Sequence, residues 1–140
     1  WKAWFRWKKT ISKDEVSFLD KTSDLPNSYV EFLTKVANGA LLYYDLEYGQ
    51  WGYEIFNLQD FFYKQRYWRE NLILPNDTPY IAFCKLHGEN TVLVIDTSDV
   101  KQSIFEANCY FAPTDWTKVA NSLEEWLDRL IESEGAKYWD

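Results

Sequence analysis

The sequence predicts an α+β domain: a single antiparallel or mixed sheet with helices packed at both chain ends. Three observations carry that prediction. Residues 26–38 and 122–131 hold apolar side chains at helical spacing between start and stop signals. Residues 40–56 and 79–105 are instead rich in strand formers, with turn residues between the runs. No internal repeat divides the 140 residues, a length common for one domain with its own core. The expectation is therefore one domain over residues 1–140, its first ten residues a basic, tryptophan-rich leading segment.

Taken in order, residues 1–9 set Trp1, Trp4 and Phe5 on one side, among Lys2, Arg6, Lys8 and Lys9. A basic amphipathic helix of this kind could lie on a membrane surface. So short a piece anchors weakly, which favours a helix or strand that docks its tryptophans on the body. Ser12-Lys13-Asp14-Glu15 is a capping box that starts a short helix through Val16, Phe18 and Leu19.

Leu25-Pro26-Asn27-Ser28-Tyr29 opens the next helix, with proline in the first turn, where its missing N–H has no helical partner. Tyr29, Phe32, Leu33 and Val36 recur at i, i+3, i+4 and i+7, and Asn38-Gly39 offers a left-handed exit. Residues 40–44 and 51–56 read as paired strands around a turn near residues 47–50. Asn57 then caps a helix carrying Leu58, Phe61, Phe62 and Trp68, whose far end is solvated.

Residues 79–86 and 91–95 form the clearest hairpin, joined around His87-Gly88-Glu89-Asn90 and apolar enough to be covered on both faces. A turn at residues 96–99 leads to a further strand at Ser103-Ile104-Phe105. Pro113 marks a loop, and residues 117–120 lead into the last element. There Ser122-Leu123-Glu124-Glu125 is another capping box, followed by Trp126, Leu127, Leu130 and Ile131 on one stripe.

The net charge is −7, and it is uneven. Residues 1–9 hold four of the fifteen basic residues and no acid, leaving eleven bases against 22 acids in the rest. Such a body repels phosphate backbones, so nucleic acid is not an expected partner. It attracts basic proteins and speeds their capture at low salt. No apolar run approaches a membrane span and no signal-peptide pattern is present, so no membrane association is expected. Cys84 and Cys109 are too few for a disulfide framework and read as reduced thiols of a cytoplasmic protein. The chain starts at Trp1 and has no methionine, so the expectation is that the translated protein has residues before it.

Chemistry-bearing groups are sparse. Cys84-x-x-His87 with Cys109 offers metal-donor types, but structural zinc takes four ligands and none is indicated as the fourth. Residues three apart on a strand face opposite ways, which also separates Cys84 from His87 as a nucleophile–base pair. Asp14-Glu15 and Glu124-Glu125 sit in first turns, where they offset the helix dipole. No cofactor and no catalytic residue is expected.

Binding is better supported. The segment Tyr43-Tyr44-Asp45-Leu46-Glu47-Tyr48-Gly49-Gln50-Trp51-Gly52-Tyr53-Glu54 mixes aromatic anchors with carboxylates. Tyr43, Tyr44, Asp45, Glu47, Tyr48, Trp51, Tyr53 and Glu54 are the candidate partner-binding set, suited to a cationic protein. An ordinary hairpin with cross-strand tyrosine pairs and solvated acids fits the same residues.

The spelling of these elements resembles the SUKH superfamily (Smi/Knr-type domains). The resemblance runs through Leu25-Pro26, Tyr29, Phe32-Leu33 and Asn38-Gly39, then Gly52-Tyr53-x-Ile55-Phe56. It continues through Pro79-Tyr80-Ile81-Ala82-Phe83, Gly88-x-Asn90 and Ile95-Asp96-Thr97 to Ser122-Leu123-Glu124-Glu125-Trp126-Leu127. The turn Lys85-Leu86-His87-Gly88-Glu89 and the tryptophan-rich start depart from the family's usual pattern. The resemblance implies an α+β fold without known catalytic machinery. It also implies an immunity role: binding a cognate bacterial protein toxin, often a nuclease, and blocking it by occlusion. Other members resemble regulatory scaffolds, which makes a general interaction module the alternative.

Overall fold

A computed structural model describes residues 4–20, 25–43 and 51–140. Seven strands pair antiparallel in chain order, each with the next: β1 (Trp4–Trp7), β2 (Ala40–Tyr43), β3 (Gly52–Ile55), β4 (Tyr80–His87), β5 (Thr91–Asp96), β6 (Ile104–Asn108) and β7 (Thr117–Ala120). Among the described residues four α-helices accompany them: α1 (Lys13–Leu19) and α2 (Asn27–Lys35) between β1 and β2, α3 (Leu58–Asn71) between β3 and β4, and α4 (Leu123–Glu132) after β7. The α+β class expected from the sequence is the one found, with a purely antiparallel sheet.

Residues 4–7 of the leading segment form a strand docked on β2. Trp4 lies opposite Tyr43 and Trp7 opposite Ala40. The chain stays attached beyond β1, because the amides of Lys8 and Ile11 donate to the carbonyls of Gly39 and Leu33 at 3.2 and 3.1 Å. Ser12 caps α1 as expected, its hydroxyl accepting the Glu15 amide at 3.1 Å. Val16 is the buried residue of this short helix, whereas Phe18, two positions on, points away and is 87% exposed.

Helix α2 buries Tyr29, Phe32 and Leu33 but not Val36, which is 45% exposed. The helix ends at Lys35, so the i+7 position no longer follows the stripe and Ala37 is buried instead. Asn38-Gly39 therefore acts later than a helix exit. Gly39 has φ +91°, and a Cβ there would lie 3.0 Å from both the Ile55 carbonyl oxygen and the Asn57 amide nitrogen. Only glycine fits both the backbone angle and the approach.

The buried side chains form two clusters on opposite faces of the sheet. The larger gathers α1, α2 and α4 on Leu42, Tyr53, Ile55, Phe83, Leu86, Leu93, Ile95 and Ile104, with Trp126 fully buried at its centre. The smaller holds Val92, Val94, Ala107 and Trp116. Alternate residues of β5 serve the two clusters, which is why its sequence is apolar throughout. Helix α3 joins the clusters: Leu58 and Phe61 belong to the first, Trp68 and Leu72 to the second. Its Gln65 amide bonds both backbone groups of Ala82, accepting its N–H at 2.8 Å and donating to its carbonyl. Ala82 lies beyond the last β3–β4 pair, Ile55 opposite Cys84, so a side chain takes the place of a strand partner there.

Candidate functional site

The candidate hairpin forms the β2–β3 pair, with Leu41 opposite Glu54, Leu42 opposite Tyr53 and Tyr43 opposite Gly52. Tyr44, Asp45, Glu47 and Tyr48 lie outside the described residues. Tyr43 closes β2, and Trp51 is half-buried just before β3.

Tyr53 does not belong to a binding face. Period-two alternation turns it into the larger cluster beside Ile55, where it is 1% exposed and packs on Trp126 and Trp139 at ring-centroid distances of 6.2 and 6.1 Å. Its tyrosine signal was that of a core residue. Burial pushes the Tyr53 hydroxyl far above its ordinary pKa, and its oxygen has no hydrogen-bond partner among the described residues.

Glu54 faces the opposite way and is already partnered. It pairs with Lys64 of α3, and its second oxygen lies 3.6 Å from the His87 Nε2. Lys64 also sits over the Phe56 ring at 4.6 Å. Helix α3 is thus tied to β3 through one carboxylate. Burial holds His87 below the usual histidine pKa, with Lys85 and Lys64 acting in the same direction and Glu54 opposing them. Lys64 reads in the sequence as part of a solvated helix end. Its role across ten residues of chain follows from tertiary packing, which no local period encodes.

Cys84 and His87 are separated as strand geometry requires: Cys84 lies opposite Ile55 and is fully buried, whereas His87 lies opposite Gly52. Among the described residues, no three His, Cys, Asp or Glu side chains converge to hold a metal.

A second charged cluster has no single signal in the sequence. Lys137, its side chain 9% exposed, reaches Glu89, Glu106 and Asp140 at 3.2, 3.1 and 2.9 Å. Trp139 donates to Glu106, and the Tyr138 hydroxyl donates to the Val119 carbonyl. These contacts fasten residues 137–140 to the β4–β5 turn, β6 and β7. Both clusters, Glu54–Lys64 and Lys137 with its three carboxylates, hold separate elements of the fold together.

Among the described residues, no helix is long and apolar enough to cross a membrane. No curated protein matches the chain. The model of the SMI1/KNR4 family (SUKH-1) matches residues 13–129, from the start of α1 almost to the end of α4. That family includes toxin-immunity proteins and is generally non-catalytic. With this match spanning most of its length, the chain belongs to the SMI1/KNR4 family (SUKH-1).

Proposed function

We propose that this domain is an immunity protein: it binds a cognate bacterial toxin domain, a nuclease, and neutralises it by occlusion. The observation that carries the proposal, beyond family membership, is the charge. Twenty-two acids against fifteen bases suit the basic face with which a nuclease holds nucleic acid. Such a complex needs no chemistry from this chain. The acidic domain covers the substrate-binding face, and electrostatic attraction speeds its arrival.

The proposed contacts are Tyr43, Tyr44, Asp45, Glu47, Tyr48 and Trp51. Glu54 would contribute by exchanging its Lys64 partner for a cation of the toxin. The test is co-expression with the toxin-like domain encoded beside its gene. Growth restored only when both are present supports the proposal. Continued toxicity at matched expression contradicts it.

The alternative, a general interaction module, is favoured by a different observation. Tyr63 and Tyr67 stand four apart on α3, 74% and 49% exposed, beside Arg66. Tyrosine and arginine are the types that dominate binding energy at protein interfaces. Modest affinity for several partners, lost on Tyr67→Ala, would select that alternative.

A further inference from the structure

We infer that the cleft between α2 and α4 is a docking groove for a cationic amphipathic helix, presented by the toxin if the immunity proposal holds. The cleft encloses about 500 Å³. Phe32 and Val36 line it from α2, and Leu123 and Leu127 from α4. Val36 is the apolar residue that the end of α2 leaves 45% exposed. The space suits anchor side chains from one face of a helix, the mode in which i, i+3, i+4 and i+7 residues enter an apolar groove.

The rim selects the sign of the partner. Glu31, Glu124 and Asp128 line the same cleft, and Lys35 is its one cation. Lys35 is already held by Glu31 at 2.6 Å. Arg129 of α4 pairs with Glu125 at 2.8 Å, which leaves Glu124 and Asp128 with no cation among the described residues. They stand four apart on α4, where like charges repel and weaken the helix. Glu124 is explained in part by its first-turn position, but Asp128, a turn further on, is not. A lysine or arginine placed between them would relieve that repulsion.

A further polar group also awaits a partner. The Ser28 hydroxyl lines the cleft and is shielded from water, yet it makes no hydrogen bond among the described residues. Buried polar atoms are rarely left so. Turned into the cleft, the hydroxyl would meet a donor or acceptor on an incoming helix.

The probe is a synthetic lysine–leucine amphipathic peptide of about 14 residues, roughly four helical turns. A glutamate–leucine peptide with the same apolar face serves as its control. Amide-resolved NMR titration of the full chain reports both affinity and place. The expected result is salt-sensitive binding of the lysine peptide alone, with shifts centred on Phe32, Val36, Leu123 and Leu127. Val36→Arg should abolish it, and Glu124→Gln with Asp128→Asn should weaken it about five- to tenfold at low salt. All three positions lie on the surface or rim, and circular dichroism checks that each variant folds. Equal binding of both peptides, shifts centred elsewhere, or unchanged affinity in the variants would overturn the groove.

The same variants separate this inference from the immunity proposal. If a toxin domain binds wild type and variants equally, the groove assignment fails and immunity stands. If the peptide obeys the groove but no toxin binds, immunity fails alone.

Discussion

The side-chain oxygen of Asn38 accepts the Leu58 amide at 2.9 Å, so the residue just past α2 caps the start of α3. Its amide nitrogen donates to Gln59 at 2.9 Å, while Asn57 takes the Asp60 amide at 2.8 Å. Two first-turn donors of α3 are thus satisfied by two asparagines nineteen positions apart. Gly39 makes this possible by letting the β2 entry press against Ile55 and Asn57. Asn38→Ala should cost about 1–2 kcal/mol, the usual worth of a cap whose loss strands a buried amide. Gly39→Ala should cost more, about 3 kcal/mol, adding backbone strain to overlap with fixed backbone atoms. Urea unfolding of both variants measures the difference.

Ile73 ends α3 in a left-handed conformation, φ +54°, while 85% of it is exposed. The Ile73 amide donates to Glu70 and the Leu74 amide to Arg69, the double bond of a Schellman ending. Glycine is the usual residue at that position, and a β-branched side chain is among the least suited. Ile73→Gly should raise stability by about 1 kcal/mol, the relief of strain exceeding the entropic cost of glycine. A melting-temperature increase checks this, and a fall would show that the Ile73 side chain makes a stabilising contact.

His87 gives the domain an acid sensitivity with a definite sign. Burial keeps its folded pKa below the ordinary value, so between those values the unfolded chain binds more protons. The contribution is full above the unfolded pKa of about 6.5 and is lost as pH falls through the lowered folded value. His87→Gln should flatten this part of the profile. Unfolding free energies from pH 7.5 down to pH 5, wild type against variant, measure it.

The two thiols should separate cleanly. Cys84 is fully buried, and burial pushes its thiol well above the usual range, so little thiolate forms. Cys109 is half-buried at the end of β6. A thiol reagent should modify one cysteine per native chain, Cys109, and the second only in denaturant. Rapid labelling of Cys84 in the native protein would mean that β4 opens readily.

Most of the fold was legible from local chemistry. Ser12, Asn57 and Ser122 mark three helix starts because each hydroxyl or amide oxygen caps an amide three residues on. The apolar runs of β4 and β5 announced a sheet covered on both faces. What escaped is what depends on distant partners or on where an element stops. Val36 continues an apolar stripe in sequence, but α2 ends one residue earlier. Tyr53 has the composition of a binding residue, and only strand alternation against the core decides its direction. The Glu54–Lys64 and Lys137–Glu106 pairs join residues ten and 31 positions apart, separations that no short-range pattern reports. The α2–α4 cleft escaped for the same reason, since its two walls lie at opposite ends of the chain.

The proposed immunity role requires tight, charge-assisted capture of a toxin domain. Isothermal calorimetry against the toxin-like domain encoded beside its gene tests it most directly, with nuclease activity followed in the same mixture. The expected result is a complex with a dissociation constant on the order of 1 nM, about −12 kcal/mol, weakened by salt and devoid of nuclease activity. No binding, or a complex in which the toxin still cuts nucleic acid, would contradict it.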